Sequence, residues 1–136
     1  MLFKNIIGHN DLKKLLINTV KENRISHAQL FFGQEGSGDL AIAIAYAQYI
    51  CCENKQEDDS CGICSSCLKY EKLTHPDLQL IFPTPGAKTA TKSKNNNSSF
   101  LNDFREIFID NPYFNIDDWH DKLEIKNEQP IINKDD

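Results

Sequence analysis

An α/β fold with a parallel sheet is the class the sequence predicts, and three stretches carry that reading. The apolar run at residues 28–32 enters a turn containing Gly33, Gly36 and Gly38, and the helix that follows, from 39 to about 51, is apolar nearly all round. A helix without a polar face belongs in an interior, and a continuous apolar strand suits a sheet covered on both faces. A second apolar stretch, Leu78-Gln79-Leu80-Ile81-Phe82, is ended by Pro83. Strand, helix and strand in that order form a parallel pair.

With 136 residues, 40% of them hydrophobic, the chain has the length and apolar content of one domain with a real core. A formal charge of -5 argues against a free-standing nucleic-acid binder, which carries a basic face, so any DNA contact is expected to be shared with partners. The longest apolar run, residues 40–52, is interrupted by Gln48 and is too short for a bilayer. Lys4 is followed closely by Gly8, His9, Asn10 and Asp11, which is no signal-peptide pattern. A cytoplasmic location is expected, and there the cysteines crowded between Cys51 and Cys67 point to metal ligands in preference to disulfides.

Ahead of the glycine turn, a short apolar lead-in at residues 2–9 reaches Asn10, whose side chain can cap a helix. Leu12, Leu15, Leu16 and Val20 then form one apolar stripe, with Lys13, Lys14 and Lys21 off it, and the helix is expected to end near Asn23. Beyond the cysteines, residues 68–73 read as a short helix, broken at Thr74-His75-Pro76-Asp77. Residues 85–99 are low in complexity, with Lys88, Lys92 and Lys94 and no acids, and read as a mobile loop; phosphate contact by these lysines is the alternative. Ser98 or Ser99 can cap the next helix, in which Leu101, Phe104, Ile107 and Phe108 recur until Asn111-Pro112 stops it. Asn115 can cap a further helix over 116–123, where Asp117 and Asp118 suit the dipole and Trp119 is the apolar anchor. Residues 130–136 read as a strand or lead-in followed by a helix start.

The glycine turn has the outline of a P-loop, G-x-x-x-x-G-K-[ST], in which backbone N–H groups wrap phosphates, a lysine reaches them and a hydroxyl ligates Mg²⁺. Gly33, Gly36, Ser37 and Gly38 are the candidate nucleotide contacts, but Asp39 stands at the lysine position and Leu40 at the hydroxyl position. The backbone geometry is kept while the cation and the metal-binding oxygen are lost, so ATP is not expected to bind well and no catalytic residue is assigned. The plainer alternative is an ordinary glycine-rich turn between a strand and a helix.

Cys52 is followed, after the intervening residues 53–60, by Cys61-Gly62-Ile63-Cys64-Ser65-Ser66-Cys67. Four thiolates at this spacing suit a closed tetrahedral Zn²⁺ site, structural because no ligand position stays open. Cys51 could replace Cys52, but adjacent residues on a helix point about 100° apart, and Cys51 fits the core better. His75 is a further candidate ligand, displaced by a full set of cysteines, and Glu57, Asp58 and Asp59 read as a solvated charge run.

Ile6-Ile7-Gly8-His9, Ile25-Ser26-His27-Ala28, the Gly33 to Gly38 loop, the four-cysteine insert directly after the loop helix, and His75-Pro76-Asp77 together resemble bacterial clamp-loader subunits of the AAA+ P-loop NTPase family. The resemblance covers about residues 2–82. Within that family, Asp39 and Leu40 resemble the decayed loop common among its delta-prime subunits, and residues 111–119 look like an insertion that some of them carry. What it implies is the N-terminal part of an AAA+ domain, its sheet truncated at residue 136, with a zinc module at about 51–70, a mobile insertion at about 85–99 and a helical insertion at about 100–124. It further implies a non-hydrolysing subunit that helps load a sliding clamp onto primed DNA. The implied partners are the gamma/tau and delta subunits. Two alternatives stand beside this reading: an active gamma/tau-like ATPase subunit, and a zinc-dependent protein-interaction module.

Overall fold

Helices dominate the computed structural model, which describes residues 1–85, 97–124 and 131–132 and divides into two units, Met1–His75 and Pro76–Asp136. The first unit holds a 3₁₀ turn at Phe3–Asn5 and helices α1 (Asn10–Lys21), α2 (Asp39–Cys51) and α3 (Ser65–Glu71). As its composition predicts, α2 is the centre, burying Ala41, Ile42, Ile44, Ala45, Tyr46, Gln48 and Tyr49. Phe3 and Ile6 from the lead-in and Leu16 and Ile17 from α1 close over it. None of the described helices is long and apolar enough to cross a membrane.

Three expectations for this unit are corrected. Asn10 is the first residue of α1, not its cap; the cap position is His9, with φ 55° in the left-handed region. The stripe on α1 is rotated from the expected one, because Leu16 and Ile17 are buried whereas Leu15 is 60% exposed and Leu12 36%. The helix α3 begins at Ser65, earlier than expected, because Cys64 caps it with its sulfur.

The expected parallel sheet is not formed among the described residues, where the one ladder contact is an isolated antiparallel bridge between Thr84 and Ile131. Residues 28–32 run without ladder partners, Leu30 89% and Phe32 92% exposed, while Phe31 packs on Tyr46 with ring centroids 6.3 Å apart. A strand requires a neighbour to satisfy its backbone, and an apolar run encodes only the capacity to be covered.

The second unit contains α4 (Asn97–Asp110) and α5 (Ile116–Lys122). Helix α4 starts ahead of Ser98 and Ser99, so neither is its cap. Phe82, expected in a strand, instead stacks on Phe104 at 4.2 Å, and Trp119 meets both edge-on at 5.3 and 5.4 Å. The Trp119 indole N–H donates to the Pro83 carbonyl at 2.8 Å. Asn115 caps α5 as expected, in a reciprocal capping box with Asp118. Of residues 85–99, expected to be a mobile loop, 86–96 lie outside the described residues, as do 125–130 and 133–136, whereas Asn97 already begins α4.

Just beyond α5, Glu124 takes a left-handed φ of 54° and its N–H bonds to the Asp121 carbonyl. A side chain there strains the backbone and glycine does not. Glu124→Gly is therefore expected to stabilise this unit by about 0.5–1 kcal/mol, seen as a higher denaturant midpoint for loss of Trp119 burial; a lower midpoint would show that the turn is not strained.

Candidate metal centre and glycine loop

The four predicted cysteines converge. Cys52 ends α2, Cys64 precedes α3 and Cys67 lies in its first turn, and the four sulfurs are all within 4.8 Å of one another. Cys52 and Cys61 are 3.6 Å apart, and Cys61 and Cys67 3.9 Å, close to the sulfur separation of about 3.8 Å in a tetrahedral site with Zn–S bonds of about 2.3 Å. Backbone N–H groups are turned toward the sulfurs: Cys61 N–H to Cys52 at 3.3 Å, Cys64 N–H to Cys61 and Cys67 N–H to Cys64, both at 3.4 Å. Such donors favour thiolate over thiol.

The four thiols do not ionise alike. Burial pushes Cys52 up, and burial followed by the Cys64 side chain pushes Cys67 up. The N–H groups of Ile63 and Cys64 hold Cys61 down. For Cys64, burial opposes ionisation, but the N–H groups of Cys67 and Glu53 and the neighbouring thiols outweigh it and bring the pKa to about 6. Four thiolates packed this closely repel, and a cation is the group that would let all of them ionise. The donor set, its spacing and the inward-facing amides fit a metal ion.

Cys51 stays outside the cluster, half-buried, and its sulfur accepts from the Tyr70 hydroxyl at 3.3 Å. His75 is not a ligand either; its ring stacks on Tyr70 at 4.6 Å. Asp59 departs from the expectation of a solvated charge run. Its carboxylate accepts the backbone N–H groups of Phe3 and Lys4, each at 3.0 Å, and that of Ser60 at 2.8 Å.

At the other end of α2, about 20 Å along the helix, lies the glycine-rich turn. Gly36 and Gly38 have φ of 74° and 81°, left-handed values that suit glycine, and Gly38 is the N-cap of α2. A Cβ at Gly33 would come 2.2 Å from the Ser37 hydroxyl oxygen. The Ser37 N–H closes a turn on the Gln34 carbonyl at 3.0 Å, and the Ser37 carbonyl accepts from His9 Nε2 at 2.8 Å. Asp39 occupies the first turn of α2, so a carboxylate stands where a phosphate-binding cation would be.

The first unit thus carries a glycine-rich turn at one end of a buried helix and, at the other, four cysteines close enough together to hold a metal ion. The chain belongs to the family described as "DNA polymerase III, delta subunit", whose model matches residues 8–117. It is 41% identical over 71 residues to the DNA polymerase III subunit delta' of Bacillus subtilis, a match spanning 52% of this chain and 21% of that protein. It is 34% identical over 79 residues to the delta' subunit of Escherichia coli, spanning 58% of this chain and 23% of that protein. The DNA polymerase III subunit tau of Bacillus subtilis is 32% identical over 65 residues, 48% of this chain and 12% of that protein. The matches thus span about a fifth of the delta' relatives' length. No solved structure matches the chain.

Proposed function

We propose that this chain is the loop-bearing part of a delta-prime-type clamp-loader subunit that does not hydrolyse ATP. The observation that carries the reading is Asp39 in the first turn of α2, directly behind the turn containing Gly33, Gly36 and Gly38. An anion at this place opposes a nucleotide's phosphates, and Leu40 offers no oxygen to Mg²⁺. The loop then serves as a rigid corner between α1, the lead-in and α2 rather than as a catalytic element.

In this reading the cysteine centre holds a structural Zn²⁺ through Cys52, Cys61, Cys64 and Cys67. The exposed apolar residues Leu30 and Phe32 become a covered strand when a sheet forms around them in the full-length subunit. That subunit works in the cytoplasm with gamma/tau and delta subunits, the sliding clamp and primed DNA. The tau relative supports a second reading, an active ATPase subunit, which needs a cation to replace the missing lysine.

Steady-state phosphate release separates the two. The protein with ATP and Mg²⁺ is expected to release no more phosphate than its Gly38→Val variant. Release above that control would overturn the non-hydrolysing reading. Co-purification of the full-length subunit with its cognate motor and delta subunits tests the partners, and separate elution at micromolar concentration would defeat the clamp-loader assignment.

A further inference from the structure

The lead-in at residues 2–9 is held at two ends by groups that belong to the two candidate sites. At one end, the Asp59 carboxylate takes the N–H groups of Phe3 and Lys4. Asp59 sits two residues before Cys61, in the loop strung between Cys52 and Cys61, and that loop is closed by the Gln56 N–H on the Asp59 carbonyl at 2.9 Å. The Tyr49 hydroxyl of α2 fixes it further by donating to the Gln56 carbonyl at 3.2 Å. At the other end, His9 Nε2 donates to the Ser37 carbonyl of the glycine loop. Between the ends, the Lys13 ammonium donates to the Ile6 carbonyl. The lead-in also roofs a cleft of about 600 Å³ lined by Phe3, Lys4, Ile6, Lys13, Asp58 and Asp59. Its hold therefore depends on these polar anchors as well as on the buried Phe3 and Ile6.

We propose that the lead-in is a strap that couples the cysteine centre to the glycine loop, with Asp59 and His9 as its positioning residues, so that metal occupancy at one end of α2 sets the order of the loop at the other. This rests on the zinc reading above. A metal bound by Cys52 and Cys61 fixes both ends of the loop that carries Asp59, and the ordering entropy of that loop is then already met. Loss of the metal frees Asp59 and, with it, the two amides it holds. The strap slackens, and His9 no longer positions the Ser37 carbonyl.

Hydrogen exchange of the whole chain, zinc-loaded and after a zinc chelator, tests the proposal, with zinc content measured on every sample. Chelation is expected to speed exchange at residues 2–9 and 33–38 by about tenfold or more while the middle of α2 stays protected. Zinc-loaded Asp59→Ala should keep its metal and show the same two changes. Zinc-loaded His9→Ala should free 33–38 alone and leave residues 3–5 protected. In His9→Ala, chelation should add little further at 33–38, because the route is already cut. An equal effect of chelation there in wild type and His9→Ala would overturn the coupling while leaving the zinc reading intact. The coupling is overturned in the same way if Asp59→Ala opens residues 2–9 but leaves 33–38 unchanged. A wild-type chain that carries no zinc would defeat the zinc reading and the strap together. If Asp59→Ala does not fold, the wild-type and His9→Ala pair still decides.

Discussion

Cys64→Ser is expected to take the protein from about one zinc ion per chain to essentially none, since a closed structural site requires all four ligands. Cys64 carries two duties: its sulfur is 3.4 Å from the Cys67 N–H and caps α3, and its pKa of about 6 makes it readily ionised. Serine can keep the capping hydrogen bond, but it does not supply a thiolate. The apparent binding energy of a structural zinc, about 10–16 kcal/mol, is in effect folding energy for the residues it orders. The variant should therefore lose protection over 52–73, where α3 has little apolar area of its own. Metal analysis and hydrogen exchange read the two effects. Cys51→Ser is the control, because that sulfur lies outside the cluster and should leave the zinc in place. Full zinc in Cys64→Ser, or its loss in Cys51→Ser, would mean that the ligand set is wrong.

Trp119→Ala should have the largest effect on the second unit. Trp119 is 1% exposed, lies edge-on to Phe82 and Phe104, and donates its indole proton to the Pro83 carbonyl. Truncating a buried tryptophan costs about 3–5 kcal/mol, and here the Pro83 carbonyl also loses its donor. Against a domain stability of about 5–15 kcal/mol, a large share of the margin disappears. Amides of α4 and α5 are expected to exchange at close to unprotected rates, while α1 and α2 keep their protection. Trp119→Phe, which retains ring packing but not the hydrogen bond, should fall between. Unchanged protection of α4 in Trp119→Ala would show that the aromatic cluster is not what holds this unit together.

The parts of the fold legible in the sequence are those fixed by neighbours a few residues away. The four-cysteine centre follows from spacing, α2 from its unbroken apolar composition, and α5 from the cap Asn115 with the acids Asp117 and Asp118 in its first turn. The turn at Gly36 and Gly38, both at positive φ, is legible for the same reason. The strands are not, because ladder pairing is a property of two segments and residues 28–32 state only one half of it. On α1 the period locates a face but not its rotation: Leu16 and Ile17 face α2, and Leu15, inside the expected stripe, does not. Asp59 is hidden among three consecutive acids. What singles it out is the Phe3–Asn5 turn, whose N–H groups are 56 and 55 residues away in sequence, and no local pattern encodes that meeting. His9 escapes in the same way, since its partner is a backbone carbonyl.

The distribution of aromatic side chains has a practical consequence. The sequence contains one tryptophan, and it sits in the core of the second unit, whereas the cysteine centre and the tyrosines that flank it, Tyr49 and Tyr70, lie in the first. Indole fluorescence therefore watches one unit only, and, with zinc bound as proposed, its release to a coloured chelator would watch the other. A single stopped-flow sample would then carry two independent clocks, so whether the two units unfold in one event or in sequence could be read from whether those clocks agree.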